Sequence, residues 1–267
     1  MKHVPTIGVE LEYPFAKRDG TTHFVQEAYF LKLKEIKKAH GQDSKEKRVG
    51  DVTIGLATEW GESGLDNGRN NGESALGVVS LETPGGLKRM HDIVTQEIKD
   101  VTQALADTDA VMLNMSNSPL TAISEETYQK AYLPKPVYKY IREYRGWTHM
   151  IGIDAKAQNS PSTGCDFYDA AQAVNVVMGS AGAFIGLFAN SPFQEGAVSS
   201  FKETRLSMWG DMFGTSHFES DRTLMKNPKQ PFANMREYFT WMFGPGTSMY
   251  FVIGNTSDYK KSGGITV

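Results

Sequence analysis

The first patterned segment of the chain alternates between apolar and acidic side chains. Between residues 6 and 15, apolar residues occupy every second position around Glu10 and Glu12. This period of two is typical of a half-buried strand. We therefore predict a strand over residues 6–15. Two residues of separation place both glutamates on the same sheet face, about 7 Å apart.

The rest of the chain mixes predicted strands and helices. Further strands are predicted at residues 51–60, 76–83, 111–115, 148–158 and 248–253. Helices are predicted at residues 25–39, 87–106, 135–144, 168–188 and 234–243, with one more beginning at Ser124. Residues 41–49 and 65–72 have the composition of a polar loop and a turn. The order lacks a regular βαβ rhythm, so we predict an α+β fold with an antiparallel sheet covered by helices, in one domain over residues 1–267.

One apolar stretch, residues 170–189, is about long enough to cross a bilayer and contains the step Gly182-x-x-x-Gly186. Three polar residues interrupt it, and it is rich in alanine and glycine rather than leucine. We therefore predict a buried core helix that packs closely against its neighbours. No membrane partner is expected.

Composition narrows the class of protein. The 267 residues are 40% hydrophobic and carry a net charge of −3, without the basic excess typical of nucleic-acid binding. The basic tract at residues 32–48 also contains acidic residues, which favours a solvated helix and loop. The single cysteine, Cys165, allows neither an intramolecular disulfide nor a multi-cysteine metal site. Glu10 and Glu12 interrupt the N-terminal apolar run, so no signal peptide is predicted and a cytoplasmic protein is expected.

Acidic residues offer candidate metal ligands. Glu10 and Glu12 would repel each other on one sheet face unless a cation lay between them, and Mg²⁺ prefers such oxygen ligands. A solvent-facing strand with ordinary surface charges is the alternative. Glu82 ends a predicted apolar strand, where a charge needs a partner. Glu73 precedes it by nine residues, and in a hairpin the two could face one site.

The segment after the apolar helix combines a loop with an arginine. Asn190-Ser191-Pro192 and the following Glu-Gly step are typical of a loop that leaves a helix. Arg205 lies four residues before Trp209, so the two share a face on a helix. Arginine binds carboxylate or phosphate in a bidentate manner. A structural arginine stacked on the tryptophan is the alternative.

This segment also carries a family resemblance. The spacing Phe193-x-Glu195-Gly196-x-x-x-x-Phe201-x-x-x-Arg205-x-x-x-Trp209 resembles the plant and proteobacterial type of glutamate–cysteine ligase, within the carboxylate–amine ligase superfamily. Five other segments agree in the same order: residues 7–12, 80–86, 133–144, 221–223 and 249–252. Together these matches extend over nearly the whole chain.

The resemblance implies an antiparallel α+β fold related to glutamine synthetase. It implies phosphorylation of the γ-carboxylate of glutamate by ATP with Mg²⁺, followed by attack of an amine, with cysteine the expected amine. The implied metal ligands are Glu10, Glu12 and Glu82, with Glu73 in an alternative register. The other implied site residues are Arg205 and Arg142 as clamps for a carboxylate or phosphoryl group, Tyr138 and Trp209 in the glutamate pocket, and Arg222 as a phosphate or loop contact.

The chain also departs from the family pattern. After Gly86 it lacks the usual Gln-Phe-Glu segment, which leaves the order of Glu73 and Glu82 open. His149 and Gln158 stand where the family carries a site histidine or glutamine, and residues 159–163 look like an insertion. Family members continue beyond the last matched strand, so the chain is expected to be short at its C-terminus. The alternative function is a non-catalytic homologue that binds a nucleotide or an amino acid.

Overall fold

The computed structural model describes residues 4–153, 157–223, 226–243, 250–251 and 265–266. The strands are β1 (Thr6–Lys17), β2 (Lys45–Val49), β3 (Val52–Thr58), β4 (Gly61–Leu65), β5 (Asn71–Ser80), β6 (Ala110–Met112), β7 (Asn159–Thr163), β8 (Phe193–Gln194), β9 (Ala197–Val198), β10 (Tyr250–Phe251) and β11 (Ile265–Thr266). The α-helices are α1 (Glu27–Ala39), α2 (Gly86–Leu105), α3 (Glu125–Ala131), α4 (Pro136–Lys139), α5 (Ala170–Phe188), α6 (Thr204–Gly214) and α7 (Met235–Phe243). A π-helix (Tyr140–Tyr144) and a 3₁₀ helix (Glu219–Thr223) complete the set of described elements.

The chain forms two compact units, which are described separately. The first comprises Met1–Pro134, Ile153–Gly164 and Asn190–Arg205. The second comprises Lys135–Gly152, Cys165–Ala189 and Leu206–Val267. The single domain expected from the sequence stays a prediction.

An antiparallel sheet of seven strands organises the first unit and confirms the predicted α+β class. Its order is β2-β3-β4-β5-β1-β6, and β7 also pairs with β1. β1 is therefore flanked on both sides, by β5 over residues 6–14 and by β7 over residues 7–11. A central strand with two neighbours is the most firmly positioned part of a sheet, because backbone hydrogen bonds hold both of its edges.

The helices α1 and α2 cover one face of this sheet. The buried residues of that layer include Phe15, Phe30, Leu33 and Val101, each at most 2% exposed. In α2 the apolar residues recur at the spacing of one helical face, as the sequence predicts. Gly72 fits the same layer, because a Cβ there would approach the Tyr13 ring to 2.2 Å.

The layer between the sheet and the helices α1 and α2 also contains buried charged residues that the sequence did not indicate. The Glu97 carboxylate accepts a hydrogen bond from Lys37 Nζ at 2.6 Å and from the Ser74 hydroxyl at 2.7 Å. The Ser74 hydroxyl also lies 2.9 Å from the Tyr13 hydroxyl. Lys37 is 1% exposed and Glu97 5%. The ion pair thus connects both helices to β1 and β5 on the underside of the sheet.

Several strands differ from the predicted positions. β2 occupies part of the predicted polar loop; its charged residues suit an exposed edge strand. β4 was missed, because Gly-Glu-Ser-Gly has weak strand propensity. β5 begins at Asn71 and ends at Ser80, so the predicted strand at 76–83 was placed too late. The strand predicted at 148–158 is wrong over residues 149–152, which form turns, and the apparent insertion at 159–163 is itself β7.

The prediction of a buried core helix at 168–188 is also wrong. The helix exists as α5, but Ala171 is its one buried residue. Phe184, Leu187 and Phe188 are 58%, 73% and 69% exposed. By length and composition alone, α5 could cross a membrane. An apolar composition indicates that a helix needs cover but does not specify which segment supplies it.

The second unit is held by a buried ion pair. Arg145 donates from Nε and Nη2 to the two carboxylate oxygens of Asp221, which also accepts from Trp147 Nε1 at 2.7 Å and from the Ser216 hydroxyl. The Arg145 guanidinium lies 4.3 Å from the Phe218 ring centroid. These contacts connect the segment after the π-helix to the 3₁₀ helix.

Candidate functional site

Three carboxylates come together on one face of the sheet. Glu10 and Glu12 lie on β1, and Glu73 lies directly opposite Glu12 on β5. One oxygen from each residue lies within 4.8 Å of the others, and all three residues are half-buried. The spacing of two places Glu10 and Glu12 on one face, as predicted, and the antiparallel register adds the third carboxylate.

The structure does not bring Glu82 to this cluster. Thr6 pairs with Ser80, so β5 runs from Glu73 beside Glu12 to the opposite end of β1. Seven residues of strand separate Glu73 from Ser80, which is about 20 Å. Glu82 lies beyond that end and is exposed. Of the two glutamates that the sequence left open, Glu73 is the one beside the cluster, because pairing register, rather than motif order, decides the position.

Burial and nearby negative charges favour the protonated form of Glu12. The pKa of Glu12 is raised from 4.5 to about 8, mainly by burial and also by the neighbouring carboxylates of Asp66 and Glu73. A hydrogen bond from the Gln158 backbone and the positive charge of Arg205 oppose this rise. A carboxyl with so high a pKa lacks sufficient positive charge around it. Burial and the neighbouring carboxylates therefore disfavour the charged form of Glu12.

Arg205 approaches this cluster through Gln158. The Gln158 backbone N–H donates to Glu12 Oε2 at 3.0 Å. Arg205 Nη1 donates to the Gln158 side-chain oxygen at 3.0 Å and to the Ala157 carbonyl at 3.4 Å. Arg205 Nε donates to Glu203 at 3.0 Å. These bonds fix the guanidinium close to the carboxylates. Gln158, a candidate in the sequence, thus lies in the same site.

The Asn-Ser-Pro-Phe segment positions Arg205 rather than supplying ligands itself. Strands β8 and β9 form a hairpin whose turn residues, Glu195 and Gly196, have φ values of 49° and 82°. Positive φ at both central positions is typical of a tight hairpin turn and explains the glycine. Ser191 is fully buried and exchanges backbone hydrogen bonds with Lys202 and Thr204. The chain therefore enters α6 with Arg205 at its first turn.

The remaining predicted residues belong to the second unit. Tyr138 is buried and stacks on His149, with ring centroids 4.8 Å apart. Trp209 is half-buried and packs edge-on against Phe213. Arg142 is exposed on the π-helix. Their predicted roles stay predictions.

Arg222 and its neighbours complete that set. Arg222 is exposed, and its Nη2 donates to the Ser216 carbonyl at 3.2 Å; its role as a phosphate or loop contact stays a prediction. The buried arginine of this unit is Arg145, which the sequence reading did not select. The predicted strand at 248–253 is described only at Tyr250–Phe251, where β10 lies; residues 248–249 and 252–253 fall outside the described residues.

The carboxylate set fits a divalent cation. Hard cations such as Mg²⁺ bind carboxylate oxygens, and three such oxygens converge from Glu10, Glu12 and Glu73. The raised pKa of Glu12 agrees with a site that binds positive charge. Sequence reasoning missed Asp66, whose charge acts on Glu12; its signal was the Asp-Asn step opening the loop before β5.

The fold is thus antiparallel α+β, with three carboxylates together on one face of its sheet. Residues 6–258 match the model of glutamate-cysteine ligase family 2, and the chain belongs to this family. The match confirms the resemblance seen in the sequence and makes the chain a glutamate–cysteine ligase-like protein. No curated protein matches it.

Proposed function

We propose that this protein is an ATP- and Mg²⁺-dependent ligase that joins the γ-carboxylate of glutamate to an amine, with cysteine the expected amine. The reaction would proceed through an acyl phosphate formed at the glutamate carboxylate. Attack of the amine then releases phosphate. Family membership supports the ligase class, and the carboxylate cluster of the first unit supports the use of a divalent cation.

The observation that carries this proposal is the cross-strand pair of Glu12 and Glu73, with Glu10 beside it. Adjacent strands place like charges directly opposite each other here, which destabilises a sheet. A surface role does not require such an arrangement. A site for a divalent ion does, because the ion compensates the charges that the strands bring together.

The described residues would divide the chemistry between them. Glu10, Glu12 and Glu73 would hold Mg²⁺, which neutralises phosphate charge and supports phosphoryl transfer when bound. Arg205 would bind the substrate carboxylate or the transferred phosphoryl group. Gln158 contacts both Glu12 and Arg205, so it would keep the cation site and the guanidinium at a fixed separation. Phosphoryl transfer depends mainly on such positioning and on charge compensation.

The test is ADP release with glutamate and a panel of amines that includes cysteine. We expect release that requires Mg²⁺, glutamate and one amine. Tight nucleotide binding without amine-dependent ADP release would instead support the non-catalytic homologue. Absence of nucleotide binding would refute the ligase.

A matched pair of variants tests the assignment of the ligands. Glu73→Gln removes a carboxylate from the cluster, whereas Glu82→Gln makes the same chemical change at an exposed position beyond the end of β5. We expect Mg²⁺-dependent turnover to fall by at least about a hundredfold in the first variant and to stay near wild type in the second. The reverse result would restore the ligand set that includes Glu82.

A further inference from the structure

A second cluster of charge lies elsewhere in the first unit, and its sign is opposite. An open cleft of about 620 Å³ lies between the end of β1, the segment before α1, the loop before β5 and α3. Lys17, Arg69 and Lys130 line it, together with His23, and no carboxylate is among its described lining residues. The volume is in the range of small-molecule sites. In a chain of net charge −3, such a grouping of cations calls for an explanation.

Two of these cations form no close ion pair with a described carboxylate, although the exposed Asp19 carboxylate acts on Lys17 at longer range. Lys130 Nζ forms an ion pair with Glu126 at 2.7 Å. Lys17 and Arg69 form no ion pair of this kind within the described part of the chain. Like charges gathered around one cleft repel each other unless an anion compensates them.

Backbone hydrogen bonds hold the lining in place. The Arg69 N–H donates to the Ala131 carbonyl at 2.7 Å, and the Arg69 carbonyl accepts from the Val25 N–H at 2.9 Å. The Lys17 N–H donates to the Thr21 carbonyl at 2.7 Å. The two cations thus project from fixed backbone, which reduces the entropy lost when they bind a ligand.

Neutral groups complete the lining. Thr22 contributes a hydroxyl that lies 2.6 Å from the Thr121 hydroxyl, and Phe24 contributes an aromatic wall. Burial and the charge of Lys17 lower the pKa of His23, which the carboxylate of Asp109 partly opposes. A neutral histidine can donate a hydrogen bond to a ligand, and an anion beside it would raise its pKa.

The cleft is separate from the carboxylate cluster. Lys17 follows Glu12 on β1 by five residues, which is about 16 Å. An odd separation on a strand directs the two side chains to opposite faces of the sheet. β1 therefore contributes carboxylates to a cation site on one face of the sheet, and it contributes Lys17 to an anion site at the end of its other face.

We propose that this cleft binds a small phosphate-bearing molecule, with Lys17 and Arg69 holding the phosphate group. Phosphate carries close to two negative charges at neutral pH, which matches two cations that form no close ion pair among the described residues. Arginine binds phosphate oxygens in a bidentate manner. The hydroxyl of Thr22 can donate to a further oxygen. Phe24 would contact the organic part of a phosphomonoester, if the ligand has one.

The experiment uses the full chain without divalent ions or ATP, titrated with inorganic phosphate and, separately, with phenyl phosphate, and followed by calorimetry. The variants are Lys17→Gln and Arg69→Gln. We expect each to weaken binding by about tenfold or more, since each removes a charge-assisted contact. The control is Lys88→Gln, because Lys88 is exposed and paired with Asp92 on α2; its binding should equal that of wild type.

The two probes separate the possible sources of the phosphate. Tighter binding of phenyl phosphate that Phe24→Leu abolishes indicates an organic phosphomonoester, whereas equal binding of both probes indicates free phosphate. In either case the His23 ring resonances in NMR spectra should show a raised pKa. Absence of binding at millimolar phosphate, or equal binding by Lys17→Gln, Arg69→Gln and the control, overturns the proposal. Because neither Mg²⁺ nor ATP is present, these outcomes are independent of the ligase assay.

Discussion

Replacing Glu12 by glutamine removes one of three carboxylates that lie together on the sheet. We expect this change to abolish divalent-ion binding and, at the same time, to stabilise the metal-free protein. The two effects have one cause. The three carboxylates repel one another when no metal ion is bound, and a neutral amide of the same shape relieves that repulsion.

The magnitude follows from the geometry. Oxygens from the three residues lie within 4.8 Å of each other, and one pair of unit charges at this distance repels by about 3 kcal/mol at an effective dielectric constant of about 20. The residues are half-buried, so solvent screening reduces the effect, and we expect a stabilisation of about 1 to 2 kcal/mol.

The pH dependence gives the prediction its sign. The pKa of Glu12 is raised from 4.5 to about 8 in the folded protein. Such a group contributes stability that is fully present below its unfolded pKa and is lost as pH rises through its folded pKa. The wild type should therefore lose stability between about pH 5 and about pH 8, whereas Glu12→Gln should lose much less.

The assay is urea unfolding in the presence of a chelator, at about pH 6 and about pH 9, on either side of the folded pKa. We expect the variant to exceed the wild type at the higher pH and the difference to shrink at the lower pH. Glu82→Gln is the control and should match the wild type at both. A Glu12→Gln variant that is less stable than the wild type at about pH 9 would falsify the account of an uncompensated cluster.

Three further changes test the surrounding structure, each by urea unfolding. Gly72→Ala should destabilise the first unit by about 1 to 3 kcal/mol, because its Cβ would overlap the Tyr13 ring; an unchanged midpoint would contradict that packing. Glu97→Gln should cost about 1 to 3 kcal/mol, because the buried Lys37 loses its 2.6 Å ion pair and keeps the Asp100 carboxylate at 3.8 Å; an unchanged midpoint would contradict this role. Asp221→Asn should cost about 3 to 5 kcal/mol by removing the carboxylate that neutralises the buried Arg145; a loss below about 1 kcal/mol would show that this ion pair is dispensable.

Sequence patterns correctly predicted those strands and helices whose formation depends on residues close together in the sequence. The alternation around Glu10 predicts β1 because one face of that strand is buried and the other is not. Ser124 predicts the start of α3, where its hydroxyl accepts from the Thr127 N–H at 3.2 Å. The amphipathic spacing of α2 likewise predicts the helix to within one residue at each end.

Predictions from sequence patterns failed where contacts between residues distant in the sequence determine the structure. Glu73 joins the cluster through the register of β1 and β5, which includes an irregularity between Ile7 and Val9; periodicity carries no information about that shift. The order of the sequence motifs favoured Glu82, because motif order likewise carries no information about how β1 and β5 pair. β7 consists of polar residues, so only its pairing with β1 makes it a strand.

Burial of charge was equally unpredictable. Lys37 lies in a basic tract that reads as solvated, yet it is almost fully buried against Glu97. Arg142 resembles a site residue in sequence, whereas the structure buries Arg145, three residues later. A single chain cannot reveal which of two neighbouring cations has a distant acidic partner.

The alternation of β1 and β5 has a consequence for the accuracy of folding. Glu12 and Glu73 point to one face, and on the other face the Tyr13 hydroxyl contacts Ser74, which donates to Glu97. A slip of either strand by one residue would turn its acidic side chain toward the helices and its hydrogen-bonding partner toward solvent. Both faces would then be wrong at once. A misregistered pairing would therefore be unfavourable on both faces, so the register that brings the three carboxylates together also disfavours the nearest folding errors.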